Sequence, residues 1–158
     1  MIIIGYPGIG KSSISCRGTG CIDLESGNFF VDGKRPDDWY KYYVQIAKHL
    51  SERGYTVFVS SHKVVRDELK ATNTEDVAVC YPSIDIRELW LERLGERYER
   101  TGLEKDRRAL LNAEQNYSSS ISELYDDAVE NRWINIPLCT TNYDLYTNVV
   151  LPILKRRN

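Results

Sequence analysis

The most specific chemistry in the sequence lies in one run near its start, Gly5-Tyr6-Pro7-Gly8-Ile9-Gly10-Lys11-Ser12. The run fits the phosphate-binding pattern G-x-x-x-x-G-K-[ST] at every fixed position. Glycines let such a loop curl so that backbone N–H groups point inward at an anion, and the helix that follows adds partial positive charge. We therefore predict that Lys11 contacts the β- and γ-phosphates of a nucleotide and that the Ser12 hydroxyl holds Mg²⁺.

The residues around this run predict a strand before it and a helix after it. Met1-Ile2-Ile3-Ile4 is apolar and rich in β-branched side chains, which is typical of a buried strand. A short helix is predicted over residues 11–16, so the run has the strand–loop–helix context that the motif requires. The predicted nucleotide-binding residues are those of the loop and the first helical turn: Gly5, Pro7, Gly8, Ile9, Gly10, Lys11, Ser12 and Ser13.

Acidic and polar side chains follow a second predicted strand, Cys21-Ile22-Asp23-Leu24. In open α/β sheets, ligands bind at the carboxyl ends of the strands. Asp23 is therefore a candidate general base, or a hydrogen-bond acceptor that orients an attacking hydroxyl. Glu25 and Ser26 are candidate substrate contacts. The alternative for Asp23 is a strand-end residue that caps the next turn.

Two further candidate substrate contacts are Phe29 and His62. His62 follows a predicted strand over residues 55–59, and Phe29 is an aromatic ring that can stack on a base. Both have a structural alternative, because a lone histidine and aromatic rings at helical spacing are more often part of the core. We expect Trp39 to belong to the core.

Arg93, Arg97 and Arg100 are spaced so that they line one face of a predicted helix. Like charges at this spacing cost about 0.2–0.5 kcal/mol per pair in an isolated helix, so the column is easier to understand if it faces anions. We predict that all three bind a nucleotide and that Arg93 and Arg97 act in catalysis. The alternative is a solvated face whose charge is neutralised by a parallel acidic column, Glu88, Glu92 and Glu96.

Predicted strands and helices alternate along the chain, which indicates an α/β fold with a parallel sheet covered on both faces. The length of 158 residues suits one domain, residues 1–158, and the net charge of −2 argues against non-specific coating of nucleic acid. No apolar run is long enough to span a membrane, and Met1 leads straight into a strand, so we expect a cytoplasmic protein without a signal peptide. The cysteines lack metal-ligand spacing, so we expect reduced, mostly buried thiols.

With the Gly5–Ser12 loop, the acidic strand end at Asp23 and the arginines after the fourth strand, the sequence resembles the P-loop kinases of the adenylate kinase-like group. The resemblance implies a three-layer P-loop NTP hydrolase fold whose parallel sheet has five strands in the order 2-3-1-4-5. It also implies an acceptor-side helix over residues 36–53 and an arginine-bearing lid over residues 93–108. The family often has an acid at the end of strand three, where this chain has Ser60-Ser61-His62, so the ligands of Mg²⁺ stay open.

A shorter stretch, residues 21–29, resembles a segment of small bacteriophage-type P-loop kinases, some of which are grouped with the 5-hydroxymethyluracil DNA kinases. That group phosphorylates a hydroxymethyl group on a base already in DNA. This second resemblance changes the expected acceptor from a free nucleotide to modified DNA.

Three functions follow as hypotheses. The first is a Mg²⁺- and ATP-dependent kinase that transfers the γ-phosphate to a hydroxyl or phosphate of a nucleoside or nucleotide. The second is a 5-hydroxymethyluracil DNA kinase in phage DNA modification, and the third is an ATP-binding switch module without kinase activity. The sequence leaves the oligomeric state and the base preference open.

Overall fold

The fold is built on a five-stranded, all-parallel sheet in the order β2-β3-β1-β4-β5. The computed structural model describes residues 1–156. Its strands are β1 (Ile2–Gly5), β2 (Cys21–Asp23), β3 (Thr56–Ser60), β4 (Val77–Pro82) and β5 (Ile134–Leu138). The α/β class and the predicted strand order are confirmed.

The central strand of the sheet is β1, which pairs with β3 on one side and β4 on the other. Its Ile2-Ile3-Ile4 run is buried on both faces. Successive residues of a strand point to opposite faces, so a strand whose every residue is buried must be covered on both sides. All residues of β1 and β4 are buried in this way. In the ladder Ile3 lies beside Phe58 of β3 and Ala78 of β4, which are also buried.

Six α-helices surround this sheet in the described part of the chain. They are α1 (Lys11–Ser15), α2 (Trp39–Glu52), α3 (Lys63–Ala71), α4 (Arg87–Thr101), α5 (Glu104–Glu130) and α6 (Leu151–Lys155). A π-helical turn over Tyr146–Val150 leads directly into α6, and Pro152 lies in the first turn of α6. Within residues 1–156, none of the helices combines the length and the apolar character needed to cross a lipid bilayer.

The ranges predicted for an acceptor-side helix and for a lid both contain helices. Residues 36–53 contain α2, which buries Trp39 and Tyr43 in the core, as expected for Trp39. Residues 93–108 contain the end of α4 and the start of α5, which form a helical hairpin. The turn between them is made by Gly102, whose φ of 61° is in the left-handed region that suits glycine at a helix end.

All four cysteines are free thiols, as predicted. The expectation that most of them are buried holds for Cys21 and Cys80, whereas Cys16 and Cys139 are exposed. The exposed pair lies outside the core because Cys16 caps the short helix α1 and Cys139 follows the last strand.

Gly95 tests whether α4 is held by its core face alone. It lies inside α4, and a Cβ built on it meets no atom of the described residues within 4 Å. We expect Gly95→Ala to raise the free energy of unfolding by about 0.5–1 kcal/mol, because alanine loses less backbone entropy in a helix. Urea denaturation measures the change, and a loss of stability would contradict this account of α4.

Candidate functional site

Three adjoining cavities open where the parallel strands β1, β2 and β3 end, the edge at which α/β sheets bind ligands. The loop cavity, about 650 Å³, lies between residues 7–13, the end of β2 and the arginine face of α4. The inner cavity, about 600 Å³, runs from Lys11 past His62 to α5. The side cavity, about 160 Å³, lies between α1 and residues 143–146. The loop cavity shares lining residues with each of the others, so the three form one continuous cleft.

The loop that joins β1 to α1 is held from outside by its carbonyl groups. Trp90 Nε1 donates a hydrogen bond to the Pro7 carbonyl at 3.0 Å, and Arg93 Nε donates to the Gly8 carbonyl at 2.8 Å. The hydroxyl of Tyr143 donates to the Ile9 carbonyl at 2.8 Å. Three consecutive carbonyls are therefore tied to side chains from elsewhere in the chain.

This anchoring fixes the direction of the loop's N–H groups. In a planar trans peptide the N–H points away from the carbonyl of the same unit. With the carbonyls of Pro7 and Ile9 tied outward, the N–H groups of Gly8 and Gly10 face the other side of the loop. Gly8 and Gly10 have φ values of 90° and 103°, so the curl needs the left-handed backbone that glycine adopts at little cost. The N–H groups of Gly8 and Gly10 thus lie on the concave side of the loop, as in backbone sites that bind anions, whereas the Ile9 N–H between them donates to the Tyr6 carbonyl at 3.4 Å.

Lys11 and Asp23 both line the loop cavity, where burial shifts their pKa values in opposite directions. Lys11 Nζ donates to the Gly5 carbonyl at 2.9 Å, and burial lowers the pKa of Lys11, an effect that the nearby Asp23 and Glu25 carboxylates oppose. Burial raises the pKa of Asp23, which the charge of Lys11 and a hydrogen bond from Ser12 partly offset. The two charges thus stabilise each other in a place that would disfavour either one alone.

Ser12 and Asp23 are the oxygen donors that the site offers to a metal. Ser12 Oγ donates to Asp23 Oδ2 at 3.0 Å. A hydroxyl and a carboxylate are hard ligands of the kind that Mg²⁺ prefers, so this pair fits the predicted ion. Within residues 1–156, no group of three or more His, Cys, Asp or Glu side chains is placed to hold a metal. The remaining ligands would have to be phosphate oxygens and water.

The three predicted arginines line the loop cavity together, but they make different contacts. Arg93 uses Nε on the loop and donates from Nη1 to the Thr141 carbonyl at 3.1 Å, so it holds the loop's own backbone in place. Arg97 pairs with the buried Asp106 at 2.7 Å. Arg100 is exposed at the end of α4. The column therefore contains one cation bound to the loop backbone, one paired with a carboxylate and one that is exposed.

The predicted substrate contacts separate into those that line the cleft and one that does not. His62 lines both larger cavities with Nδ1 2.8 Å from Ser60 Oγ, and although the residue is partly open to solvent, desolvation in the cleft and the charges of nearby cations lower its pKa to about 4. Glu25 pairs with Lys105 at 3.3 Å, and Ser26 accepts a hydrogen bond from Arg35 at 3.0 Å. Phe29 instead packs edge-on against Tyr43 in the core and does not reach the cleft.

The structure adds residues that sequence reasoning missed. Trp90 and Tyr143 anchor the loop, whereas Tyr6 and Arg66 line the inner cavity. Trp90 sits in an apolar helical stripe, so the sequence pattern cannot distinguish its anchoring role from ordinary core packing. Tyr6 occupies a variable position of the loop motif, so no pattern singles it out.

Comparisons with known proteins do not assign this cleft. No model of a protein family matches the chain, and a search of curated proteins finds no significantly similar one. The functional argument therefore rests on the geometry of the cleft.

Gly8 tests the anchored curl of the loop. A Cβ on Gly8 would lie 2.9 Å from Leu94 Cδ2 and 3.3 Å from Trp90 Nε1, on a backbone with φ of 90°. We expect Gly8→Ala to lower the free energy of unfolding by at least about 1 kcal/mol, because of the left-handed strain and the contact with α4. Urea denaturation beside Gly95→Ala, which should shift stability the opposite way, checks this. An unchanged free energy of unfolding in Gly8→Ala would mean that the loop is not held against α4.

Asp23 tests the electrostatics of the cleft. Its pKa is raised above the ordinary 3.8, so ionisation costs more in the folded chain than in the unfolded one. The penalty is absent below pH 3.8, where both states are protonated, and is complete above the raised pKa. We expect Asp23→Asn to raise the melting temperature at pH 7, with a difference that disappears below pH 3.8.

Thermal melts over this pH range measure the effect, and Asp37→Asn, at an exposed aspartate, controls for the loss of one negative charge. A lower melting temperature of Asp23→Asn at pH 7 would show instead that the Asp23 charge stabilises the fold.

Proposed function

We propose that the chain is a kinase that transfers the γ-phosphate of ATP, with Mg²⁺, to a hydroxyl or phosphate of a nucleoside or nucleotide. The observation that carries the proposal is the loop whose carbonyls are tied outward, because it leaves inward N–H donors beside Lys11 at the motif predicted from the sequence. In this proposal the loop is a P-loop and the fold is that of the P-loop NTP hydrolases.

The loop cavity is the proposed phosphate site. The N–H groups of the loop and Lys11 bind the β- and γ-phosphates, and the exposed Arg100 offsets negative charge as phosphate moves between oxygens. Arg97 lines the same cavity but is paired with Asp106, so its contribution to the phosphate is smaller. Arg93 contributes by holding the loop. Ser12 and Asp23 provide oxygen ligands for Mg²⁺, which when bound neutralises phosphate charge.

The side cavity is the proposed site of the nucleoside portion of ATP. It continues from the loop cavity at Gly10 and Ser13, so a nucleotide that places its phosphates on the loop can extend into it. Tyr143 and Tyr146 supply aromatic surface there, and an ion pair between Arg17 and Asp144 lies at its edge. Aromatic rings beside a planar base are a common means of nucleotide binding.

Transfer requires the acceptor hydroxyl to meet the γ-phosphate between the loop cavity and the inner cavity. Lys11, Glu25 and His62 line both, and Asp23 lines the loop cavity at the same end of the sheet. The Asp23 carboxylate is proposed to accept the hydrogen bond of the attacking hydroxyl. His62 is neutral near pH 7 because its pKa is lowered to about 4, so it can contact the acceptor without adding charge.

A modified base in DNA is the second candidate acceptor. Phe30 lines the inner cavity and is 43% exposed, and the Arg35 guanidinium stacks 4.5 Å from the centre of its ring. An exposed aromatic ring beside a cation suits a base that is turned out of a nucleic-acid strand. Under this candidate the chain is a 5-hydroxymethyluracil DNA kinase.

Phosphate transfer from γ-labelled ATP with Mg²⁺ tests the proposal. One reaction contains mixed nucleosides and nucleoside monophosphates, and the other contains duplex DNA with 5-hydroxymethyluracil beside unmodified DNA. Label in the first supports the leading proposal, and label only in the modified DNA supports the second candidate. ATP binding without label in either reaction would favour a switch module over a kinase.

Lys11→Ala should lower the transfer rate at least about a hundredfold, because it removes a charge that acts on the moving phosphate. Lys41→Ala, at an exposed lysine on α2, is the matched control and should leave the rate unchanged. Circular dichroism and melting temperature verify that both variants stay folded. Full activity in Lys11→Ala would contradict the assignment of the loop.

A further inference from the structure

The inner cavity is lined by both cations and carboxylates, and it extends away from the loop towards α3 and α5. Its far wall is formed by α3 and α5, and its volume is about 600 Å³. Several cations line it, which at first suggests a site for a negatively charged acceptor. The contacts of these cations indicate instead a site for an uncharged group.

Three of these cations are already paired with carboxylates. The side chain of Arg66 contacts Asp127 at 2.6 Å and Glu123 at 2.8 Å. Lys105 pairs with Glu25 at 3.3 Å, and Arg108 pairs with Glu104 at 3.1 Å. A phosphate that entered here would have to displace these partners.

The carboxylates themselves also face the cavity. Glu25, Glu104 and Glu123 line it with the cations that they pair. The remaining arginine, Arg35, donates hydrogen bonds from Nε and Nη2 to Ser26 and stacks between Phe30 and Trp39. The fifth cation of the lining, Lys11, donates to the Gly5 carbonyl at the end next to the loop. A doubly charged phosphate in the far part of the cavity would therefore meet three carboxylates and only cations that already have partners, and this pattern selects against a charged acceptor group.

Two buried polar groups among the residues that line the inner cavity lack hydrogen-bond partners. Tyr6 is 2% exposed and Arg66 is 4% exposed. Among residues 1–156, nothing accepts from or donates to the Tyr6 hydroxyl, and nothing accepts from the Nε–H of Arg66. Buried polar groups without partners are rare because they cost stability, so each of them needs a reason. Both residues line the inner cavity, and a ligand that displaces the side chains covering the two atoms can supply the missing partner.

The chemistry of the two groups defines what that ligand offers. Arginine Nε–H only donates, and a tyrosine hydroxyl donates or accepts, so carbonyl oxygens satisfy both. Leu124, Ala109 and the ring of Phe30 add apolar surface to the same cavity. An uncharged, planar group with carbonyl oxygens fits this combination.

We infer that the inner cavity binds the uncharged, carbonyl-bearing base of a hydroxyl acceptor through Tyr6 and Arg66, and that it selects against a nucleoside monophosphate. The inference rests on the proposed function for the role of this ligand as acceptor. A free nucleoside and a base exposed from a nucleic-acid strand share this chemistry.

Binding without ATP tests the inference separately from phosphate transfer. Ligand-observed NMR measures the affinities of thymidine, thymidine monophosphate and a short single strand that contains 5-hydroxymethyluracil. We expect thymidine or the strand to bind and the added 5′-phosphate not to tighten binding of the free nucleoside. The stronger of the two ligands identifies the source of the base. Tighter binding of the monophosphate by tenfold or more, or no binding of any of the three, would overturn the inference.

Tyr6→Phe tests the assigned contact, because it removes only the hydroxyl. We expect affinity for the ligand that binds to fall about fivefold to tenfold, the effect of one lost hydrogen bond. The melting temperature should stay level or rise, since the hydroxyl has no partner in the free chain. Tyr81→Phe is the matched control, because its hydroxyl donates to Asn135 Oδ1 at 2.6 Å on β5. Affinity should be unchanged in Tyr81→Phe.

Equal affinity of Tyr6→Phe and the unaltered chain would overturn the assigned contact, and so would a clear loss of thermal stability in Tyr6→Phe. The outcomes also separate the two proposals. Base binding that depends on Tyr6 without any phosphate transfer would contradict the kinase and keep the base site. Transfer to thymidine monophosphate in preference to thymidine would keep the kinase and overturn the base site.

Discussion

The cleft depends on the three hydrogen bonds that tie the loop's carbonyls outward. Trp90, Arg93 and Tyr143 hold Pro7, Gly8 and Ile9 from positions 83, 85 and 134 residues away in the chain. Because a peptide's N–H points away from its carbonyl, these distant side chains decide where the loop's donors face. The packing of α4 and of the segment after β5 is therefore part of the anion-binding geometry.

The same cleft holds charges at a cost to stability. Burial acts against the ionised forms of both Lys11 and Asp23, and their mutual attraction, with help from Glu25 and Ser12, keeps the two charges together. Functional sites commonly have perturbed pKa values for this reason, although buried structural pairs share the property. The buried Arg66–Asp127 pair is such a structural case, since it joins α3 to α5. It is also what places the unpartnered Nε–H of Arg66 on the wall of the inner cavity.

Charge pairing gives each part of the cleft a different preference. The loop cavity is also lined by carboxylates, among them Asp23 and the Asp106 that pairs with Arg97, but it adds the inward N–H groups of the loop and the exposed Arg100, which suit the dense negative charge of a polyphosphate. In the inner cavity three of the five lining cations are paired with carboxylates and a fourth, Arg35, is bound to Ser26, so little unpaired charge is left for an anion. Counting arginines and lysines in the sequence would rank both regions as basic. Only their contacts separate them, because a cation already paired with a carboxylate attracts a second anion weakly.

The sequence alone determined the loop motif, the alternation of strands and helices and the face shared by Arg93, Arg97 and Arg100, because these depend on local spacing and periodicity. The strand order 2-3-1-4-5 followed from family resemblance and is confirmed by the sheet. Tertiary structure alone decided that Phe29 packs in the core, that Arg93 binds backbone, and that Tyr6 and Arg66 meet at one cavity. These outcomes depend on contacts between residues far apart in the chain, and no local pattern encodes which side chain will reach which carbonyl.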